Sequence, residues 1–252
     1  MFAELLDVRQ ITERDTVYIF QGSEIARKAK AGQFVEVHVN PGLEPFLRRP
    51  ISIYDIDGER FSLLVRTVGR GTKEMTCWEK GMRIDILGPL GNGFHRMLSD
   101  RKVLLVGGGI GAAPLYELGK QLIKAGTRVE FLFSPKRDAR VMDAFQGLGS
   151  DMEVYFSENR TELPVLLAQL LSGSHCPDRV YACGPNAMMH TVVKKCEEAG
   201  IPIEVSMEAI MGCGMGICSG CVIKIKDGDD FSYKKVCQEG PVFDGKEVIF
   251  DV

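Results

Sequence analysis

Apolar positions along this chain follow two different rhythms. Up to about residue 98 they come in short runs at 16–20, 33–39, 61–67 and 83–87, rich in Val, Ile and Phe. Turn formers bound these runs: Gly22, Asn40-Pro41-Gly42, Asp57-Gly58 and Gly88-Pro89. Short strands at this spacing predict an antiparallel β-barrel. One short helix, at 72–80, is expected to interrupt it.

The glycines and proline of 88–93 read as a hinge, and beyond it the rhythm changes. Strand-like stretches at 102–106, 128–133, 153–156 and 179–182 alternate with helical ones ending near 124 and at 141–146, 162–171 and 186–199. Alternation of this kind predicts an α/β parallel-sheet domain with right-handed crossovers. Further short strands at 203–205, 222–225 and 233–236, with a turn at 240–243, predict a small β-rich C-terminal subdomain. It is too small for a core of its own and must lean on its neighbours. The expected division is 1–98, 99–202 and 203–252.

Composition narrows the function. With 45% hydrophobic and 26% charged residues the chain is an ordinary globular protein. A formal net charge of -3 argues against nucleic-acid binding. No apolar run would span a bilayer, and the start reads as neither a signal nor a transit peptide. Eight cysteines without an export signal point to a reducing compartment, the cytoplasm, where cysteines serve metals or chemistry.

Three of those cysteines set the chemistry. Cys213, Cys218 and Cys221 follow a Cys-x4-Cys-x2-Cys spacing among four glycines, with Cys237 after a predicted hairpin. This is the plant-type spacing for a 2Fe–2S cluster. One loop can supply three thiolates only if it wraps tightly, and glycine permits the backbone angles this requires. Structural zinc sites use two close cysteine pairs, whereas here only Cys218 and Cys221 form one. Cys77, Cys176, Cys183 and Cys196 compete with Cys237 for the fourth place. The histidines, His38, His95, His175 and His190, share no metal spacing. Met211 and Met215 either form a docking rim around the loop or pack over it.

Two arginine motifs lie in the barrel. Arg49-Pro50-Ile51-Ser52 joins a charge suited to phosphate with strand groups that can bond the edge of an aromatic ring. Arg66-Thr67-Val68 leads into Gly69-Arg70-Gly71-Thr72, where glycines before a helix leave N–H groups for an anion. Singly, each also reads as a basic surface turn; both in one barrel point to a phosphate-bearing ligand. In the α/β region Gly107, Gly108, Gly109 and Gly111 end the first strand, where a dinucleotide docks. Cys183-Gly184-Pro185 ends a later strand in the same way. Lys136 and Arg137 suit a 2′-phosphate or a solvated turn, so NAD and NADP both stay open.

The two arginine motifs, the glycine loop and the Cys-Gly-Pro turn resemble those of the ferredoxin reductase superfamily. That resemblance implies FAD on the barrel, with Arg49 to Ser52 on the flavin and its phosphates. It implies Arg66, Thr67 and Val68 along the isoalloxazine or ribityl chain, and Gly71 and Thr72 on the pyrophosphate. Ile51 stands where many relatives carry an aromatic residue. NAD would lie near Cys183 and Gly184, facing the flavin. Adding the cysteine loop, Ser206-Met207-Glu208 before it and residues 240–245 after it, nearly the whole chain resembles the electron-transfer subunits of NAD-dependent (class 1B) dihydroorotate dehydrogenases. This implies an FMN-containing catalytic partner in a heterotetramer, electrons passing from dihydroorotate through FMN, cluster and FAD to NAD, and no catalytic residue for dihydroorotate oxidation in this chain. The same modules occur in small subunits of ferredoxin–NADP reductase or sulfhydrogenase complexes, where an aspartate often replaces one cluster cysteine; Cys213 favours the dihydroorotate assignment. An iron–sulfur redox sensor and a stand-alone oxygenase reductase are further readings.

Overall fold

A computed structural model describes every residue except 41, 43, 135–138, 158, 160, 174–175 and 252. Lys136, Arg137 and His175 therefore lie outside the described residues. Strands β1 (Phe2–Gln10), β2 (Asp15–Gln21), β3 (Phe34–Val37), β4 (Arg49–Asp57), β5 (Arg60–Arg66) and β6 (Arg83–Leu90) close a barrel in the order β1-β2-β5-β4-β3-β6. All of its strand pairs are antiparallel. Val35, Val37, Ile53, Phe61, Leu63 and Ile86 fill its interior.

The helix expected at 72–80 is shorter and earlier, as α2 (Arg70–Glu74) followed by a 3-10 turn at Met75–Cys77. The Met75 carbonyl accepts from the Tyr18 hydroxyl at 2.9 Å and from the Trp78 amide at 3.1 Å, which draws it out of an α-helical ladder. β1 and the helix α1 (Ser23–Lys28) are not anticipated by the apolar pattern.

The second unit holds β7 (Lys102–Gly108), β8 (Arg128–Ser134), β9 (Met152–Phe156), β10 (Arg179–Cys183) and β11 (Ile203–Ser206), all parallel. Helices α3 (Ala113–Lys124), α4 (Glu162–Leu170) and α5 (Asn186–Ala199) cover them. The helix expected at 141–146 is a 3-10 stretch, Ala139–Asp151. After β11 come the cysteine loop, a hairpin of β12 (Val222–Asp227) and β13 (Asp230–Lys235), and β14 (Val242–Asp244). β14 does not stay with the hairpin. It pairs antiparallel with β11 and becomes the edge of the large sheet, in the order β14-β11-β10-β7-β8-β9. The turn expected at 240–243 is thus half strand.

The units are bolted together. Tyr54 of β4 stacks against Tyr116 of α3 with centroids 4.3 Å apart. Buried Glu117 accepts the Ile56 amide at 2.9 Å and pairs with Lys120 at 2.7 Å, and Lys120 also reaches Asp55. The stretch 88–93, expected as a hinge, is held. Asn92 takes the Gly240 carbonyl through its amide at 2.6 Å and donates its side chain to the carbonyls of Gln238 and Glu239, each at 3.1 Å. Cys221, Ile225, Val236 and Cys237 share one apolar core with Leu104 and Val106 of the sheet and Phe34 of the barrel. The small subdomain leans on both neighbours, as its size requires. Among the described residues no helix is long and apolar enough to cross a membrane.

Candidate functional site

The four cysteines come together as two pairs, Cys213 with Cys218 and Cys221 with Cys237, joined by the loop between them. Gly214 and Gly216, at φ +69° and +84°, turn the loop back on itself. The amides of Met215 and Cys218 point at the Cys213 sulfur, at 3.5 and 3.4 Å. The Gly216 amide meets the Cys237 sulfur at 3.1 Å, and the Cys237 amide meets the Cys221 sulfur at 3.4 Å. The Cys221 and Cys237 sulfurs stand 3.2 Å apart. A Cβ on Gly212 would lie 3.4 Å from the Cys218 sulfur, and among the described residues no three His, Cys, Asp or Glu side chains are gathered closely enough to hold a single metal ion. Cys221 and Cys237 are buried, Cys213 is half-buried and Cys218 is exposed. The N–H groups of Cys218 and Met215 pull the Cys213 thiol down to about 6. Burial, then the neighbouring Cys221, pushes Cys237 up to about 11. Four thiols with backbone donors aimed at three of their sulfurs fit an iron–sulfur cluster. The competitors stand elsewhere: Cys183 and Cys196 are buried in the α/β unit, and Cys77 and Cys176 are exposed.

At the barrel, Arg49 and the 69–72 loop meet. A Cβ on Gly71 would lie 2.2 Å from the Arg49 Nε, so the guanidinium rests directly on that glycine. Thr72 is absorbed into the loop: its hydroxyl accepts the amides of Val68 and Gly69, at 2.9 and 3.2 Å. Pro50 and Ser52 are half-buried, and Ile51 packs against the barrel core. Cationic Arg49 over Gly71 in the first turn of α2 fits a phosphate.

Arg66, Val68, the loop 108–111, Gly184 and Pro185 line one cleft of about 790 Å³ between barrel and α/β unit. The glycines let the two α/β loops touch. A Cβ on Gly111 would lie 2.7 Å from the Gly184 Cα, and one on Gly108 2.6 Å from the Pro185 Cδ. Narrow glycine walls at strand ends fit a dinucleotide. Gly107 and Cys183 do not line the cleft. Gly107 packs against Ala112 and Phe131, and Cys183 is buried in β10 with its thiol raised by burial. Both hold the strand ends from behind.

Several residues here escape sequence reasoning. Arg14 lines the cleft from the β1–β2 turn and donates twice to the Thr67 carbonyl, at 3.2 and 2.9 Å. Asn159 and Glu208 line it too. Glu36 is 1% exposed, and neither carboxylate oxygen has a partner. Burial raises its carboxyl to about 7, with Arg48 opposing and Cys213 reinforcing. The one acidic residue of the strand-like run 33–39 is the signal that marks it. Met211 is buried, whereas Met215 and Ile217 are exposed at 49% and 77%, so Met211 belongs to packing and the other two to the loop's outer rim.

Comparison with known proteins bears on all of these parts. The family described as the iron-sulfur cluster binding domain of dihydroorotate dehydrogenase B matches residues 208–249. The N-terminal domain described as dimethylamine monooxygenase subunit DmmA-like matches 95–204. The chain is 34% identical to the dihydroorotate dehydrogenase B (NAD(+)) electron transfer subunit of Bacillus cereus (strain Q1), over 97% of this chain and 96% of that protein. The corresponding subunit of Bacillus anthracis (strain A0248) gives the same values. A solved structure of an NADH-dependent reduced ferredoxin-NADP oxidoreductase superposes with a TM-score of 0.85 at 28% identity, over 99% of this chain and 90% of that one. A ferredoxin NADP+ reductase from Neisseria gonorrhoeae shares the fold, at 17% identity and a TM-score of 0.64 over 82% and 98% of the chains.

Proposed function

This chain belongs to the family of dihydroorotate dehydrogenase B electron transfer subunits, and from that premise we propose that it carries electrons between a catalytic partner subunit and NAD. The observation that supports this most directly is the pairing of Cys213 with Cys218 and of Cys221 with Cys237 along one glycine-turned loop, with Cys221 and Cys237 packed on both the barrel and the α/β sheet. These four residues hold a 2Fe–2S cluster. Arg49, Pro50, Ile51, Ser52, Gly71 and Thr72 hold FAD, with Arg66, Thr67 and Val68 along it. Gly108, Gly109, Gly111, Gly184 and Pro185 receive NAD, with Gly107 and Cys183 fixing the strand ends beneath. When bound, these groups supply the exchange between hydride transfer and single-electron transfer. The chain's own residues position them, exclude water between them and present one side to a partner.

The partner is an FMN-containing dihydroorotate dehydrogenase catalytic subunit, in a heterotetramer with two copies of each chain. It docks over the exposed rim around Cys218, where Ile210, Met215 and Ile217 project. Dihydroorotate chemistry resides on that partner, and the assembly serves pyrimidine biosynthesis in the cytoplasm. The functional division is 1–98 for flavin, 99–202 for NAD and 203–252 for the cluster.

The test is capture of the native complex and assay of dihydroorotate-dependent NAD reduction. A flavin-bearing partner and a running assay support the proposal, as does failure of the purified chain alone to oxidise dihydroorotate. A second reading draws on the superposition with the ferredoxin-NADP oxidoreductase. Capture of a ferredoxin-linked or hydrogenase partner in place of the dihydroorotate enzyme would favour it.

A further inference from the structure

Glu36 stands between two proposed redox sites. Its strand neighbours Val35 and Val37 fill the barrel interior, so alternation places Glu36 on the barrel's outer side. There it meets the cysteine loop. A Cβ on Gly214 would lie 2.5 Å from the Glu36 Cγ and 2.8 Å from its Oε1. Gly214 follows Cys213 directly, and only its lack of a side chain admits the carboxylate. On the other flank Glu36 pairs with Pro50 of β4, inside the arginine motif. The nearby cations are committed elsewhere. Arg48 binds the Asp85 carboxylate at 2.5 Å, and Arg49 binds the carbonyls of Leu47 and Arg48, at 2.6 and 3.1 Å. Both Glu36 oxygens are left without a hydrogen bond among the described residues.

A negative charge in a dry seam opposes the arrival of an electron beside it. The loop amides that point at the Cys213 and Cys237 sulfurs act in the opposite direction. We propose that Glu36 is a positioning residue whose carboxylate lowers the reduction potential at the four-cysteine site and so biases electrons toward the flavin side of the seam. This rests on the cluster reading given above. It gives the orphaned carboxylate a role that packing alone does not, because an apolar side chain would fill the same space without the burial penalty.

The experiment uses the full chain with its cluster, reduced stepwise against redox dyes at pH 9, with iron and acid-labile sulfide measured first. At that pH a carboxyl is ionised. Glu36→Gln is nearly isosteric, and Glu36→Leu replaces the charge with apolar packing. In both variants the ratio of reduced to oxidised cluster at a fixed poise is expected to rise roughly tenfold, which is about 59 mV for one electron. Glu36→Asp keeps the charge and is expected to stay near the parent. A cluster-replete Glu36→Gln variant with the parent's potential overturns the inference and leaves the cluster reading intact. Opposite shifts in the Gln and Leu variants overturn it in favour of packing. A parent chain without iron and sulfide overturns the cluster reading, and the inference with it.

Discussion

Arg66 grips Asp15 through two hydrogen bonds, Nε to Oδ1 at 2.7 Å and Nη2 to Oδ2 at 2.9 Å. The Asp15 side chain is 1% exposed, and the Thr12 hydroxyl also donates to it at 2.8 Å. A cleft-lining cation is thus aimed by a buried anion. Asp15→Ala removes a buried, bidentate partner of Arg66 and is expected to destabilise the barrel by about 3 kcal/mol. It should also loosen flavin. Thermal melting with flavin retention on gel filtration checks both; a variant as stable and as yellow as the parent would remove Arg66 from the site.

Gly71 has no room for a methyl group, because the Arg49 Nε would lie 2.2 Å from it. Gly71→Ala is expected to push the guanidinium off the loop and weaken flavin binding at least tenfold, with little loss of barrel stability. Arg49→Ala should weaken it as much by removing the charge. Fluorescence titration of the flavin-free chain reads both affinities.

The cysteine group makes a sharper prediction. Cys218→Ser is expected to abolish cluster assembly, seen as loss of iron, acid-labile sulfide and visible absorbance. Cys237→Ser should do the same, whereas Cys176→Ser, at an exposed site outside the group, should not. Full iron in the Cys218 or Cys237 variant would break the four-ligand assignment.

Gly111 and Gly184 predict behaviour at the nucleotide end. A Cβ on Gly111 would lie 2.7 Å from the Gly184 Cα, backbone that cannot step aside cheaply. Gly111→Ala is expected to raise the KM for NADH at least tenfold with an artificial acceptor, leaving flavin and iron content unchanged. An unaltered KM would place the nucleotide elsewhere.

Glu36 also gives stability a pH dependence. Its native carboxyl, at about 7, lies above the ordinary value of 4.5, so the native state holds a proton that the unfolded chain releases. The associated stability is complete below about 4.5 and is lost as pH rises through about 7, a change of at most about 3 kcal/mol. The Tm advantage of Glu36→Gln over the parent should therefore grow between pH 5 and pH 8. A constant difference across that range would mean that Glu36 is ionised throughout.

The cysteine spacing is legible in sequence because three ligands share one loop and the glycines between them have a backbone reason to be there. The barrel and the parallel sheet are legible because period-2 runs and strand–helix alternation reflect burial directly. What dissolves is whatever depends on docking between units. Alternation can put Glu36 on an outer face but cannot say that Gly214 will cover it. The pattern at 240–243 gives a turn, since three residues are too few to announce that β14 will cross to another unit's sheet. Cys183 reads as a lining residue because its motif does line the cleft, through Gly184 and Pro185, while its own side chain faces the core. The short α2 rests on a carbonyl that Tyr18 captures from 57 residues away, which no local pattern contains.

The pairing of β14 with β11 has a consequence for how this molecule can be cut and recombined. The cysteine segment leaves the sheet at Ser206 and returns to the adjacent position at Val242. It is an excursion from the sheet edge and not a bead strung after it. Truncation near residue 203 would remove β11 and β14 together, leaving β10 as an open strand edge to recruit other chains. A graft that moved the segment onto another reductase would have to bring the edge strand along and find a parallel sheet ready to accept it. Inheritance of this module is therefore tied to inheritance of the α/β unit beside it, and the two are expected to travel between proteins as one piece.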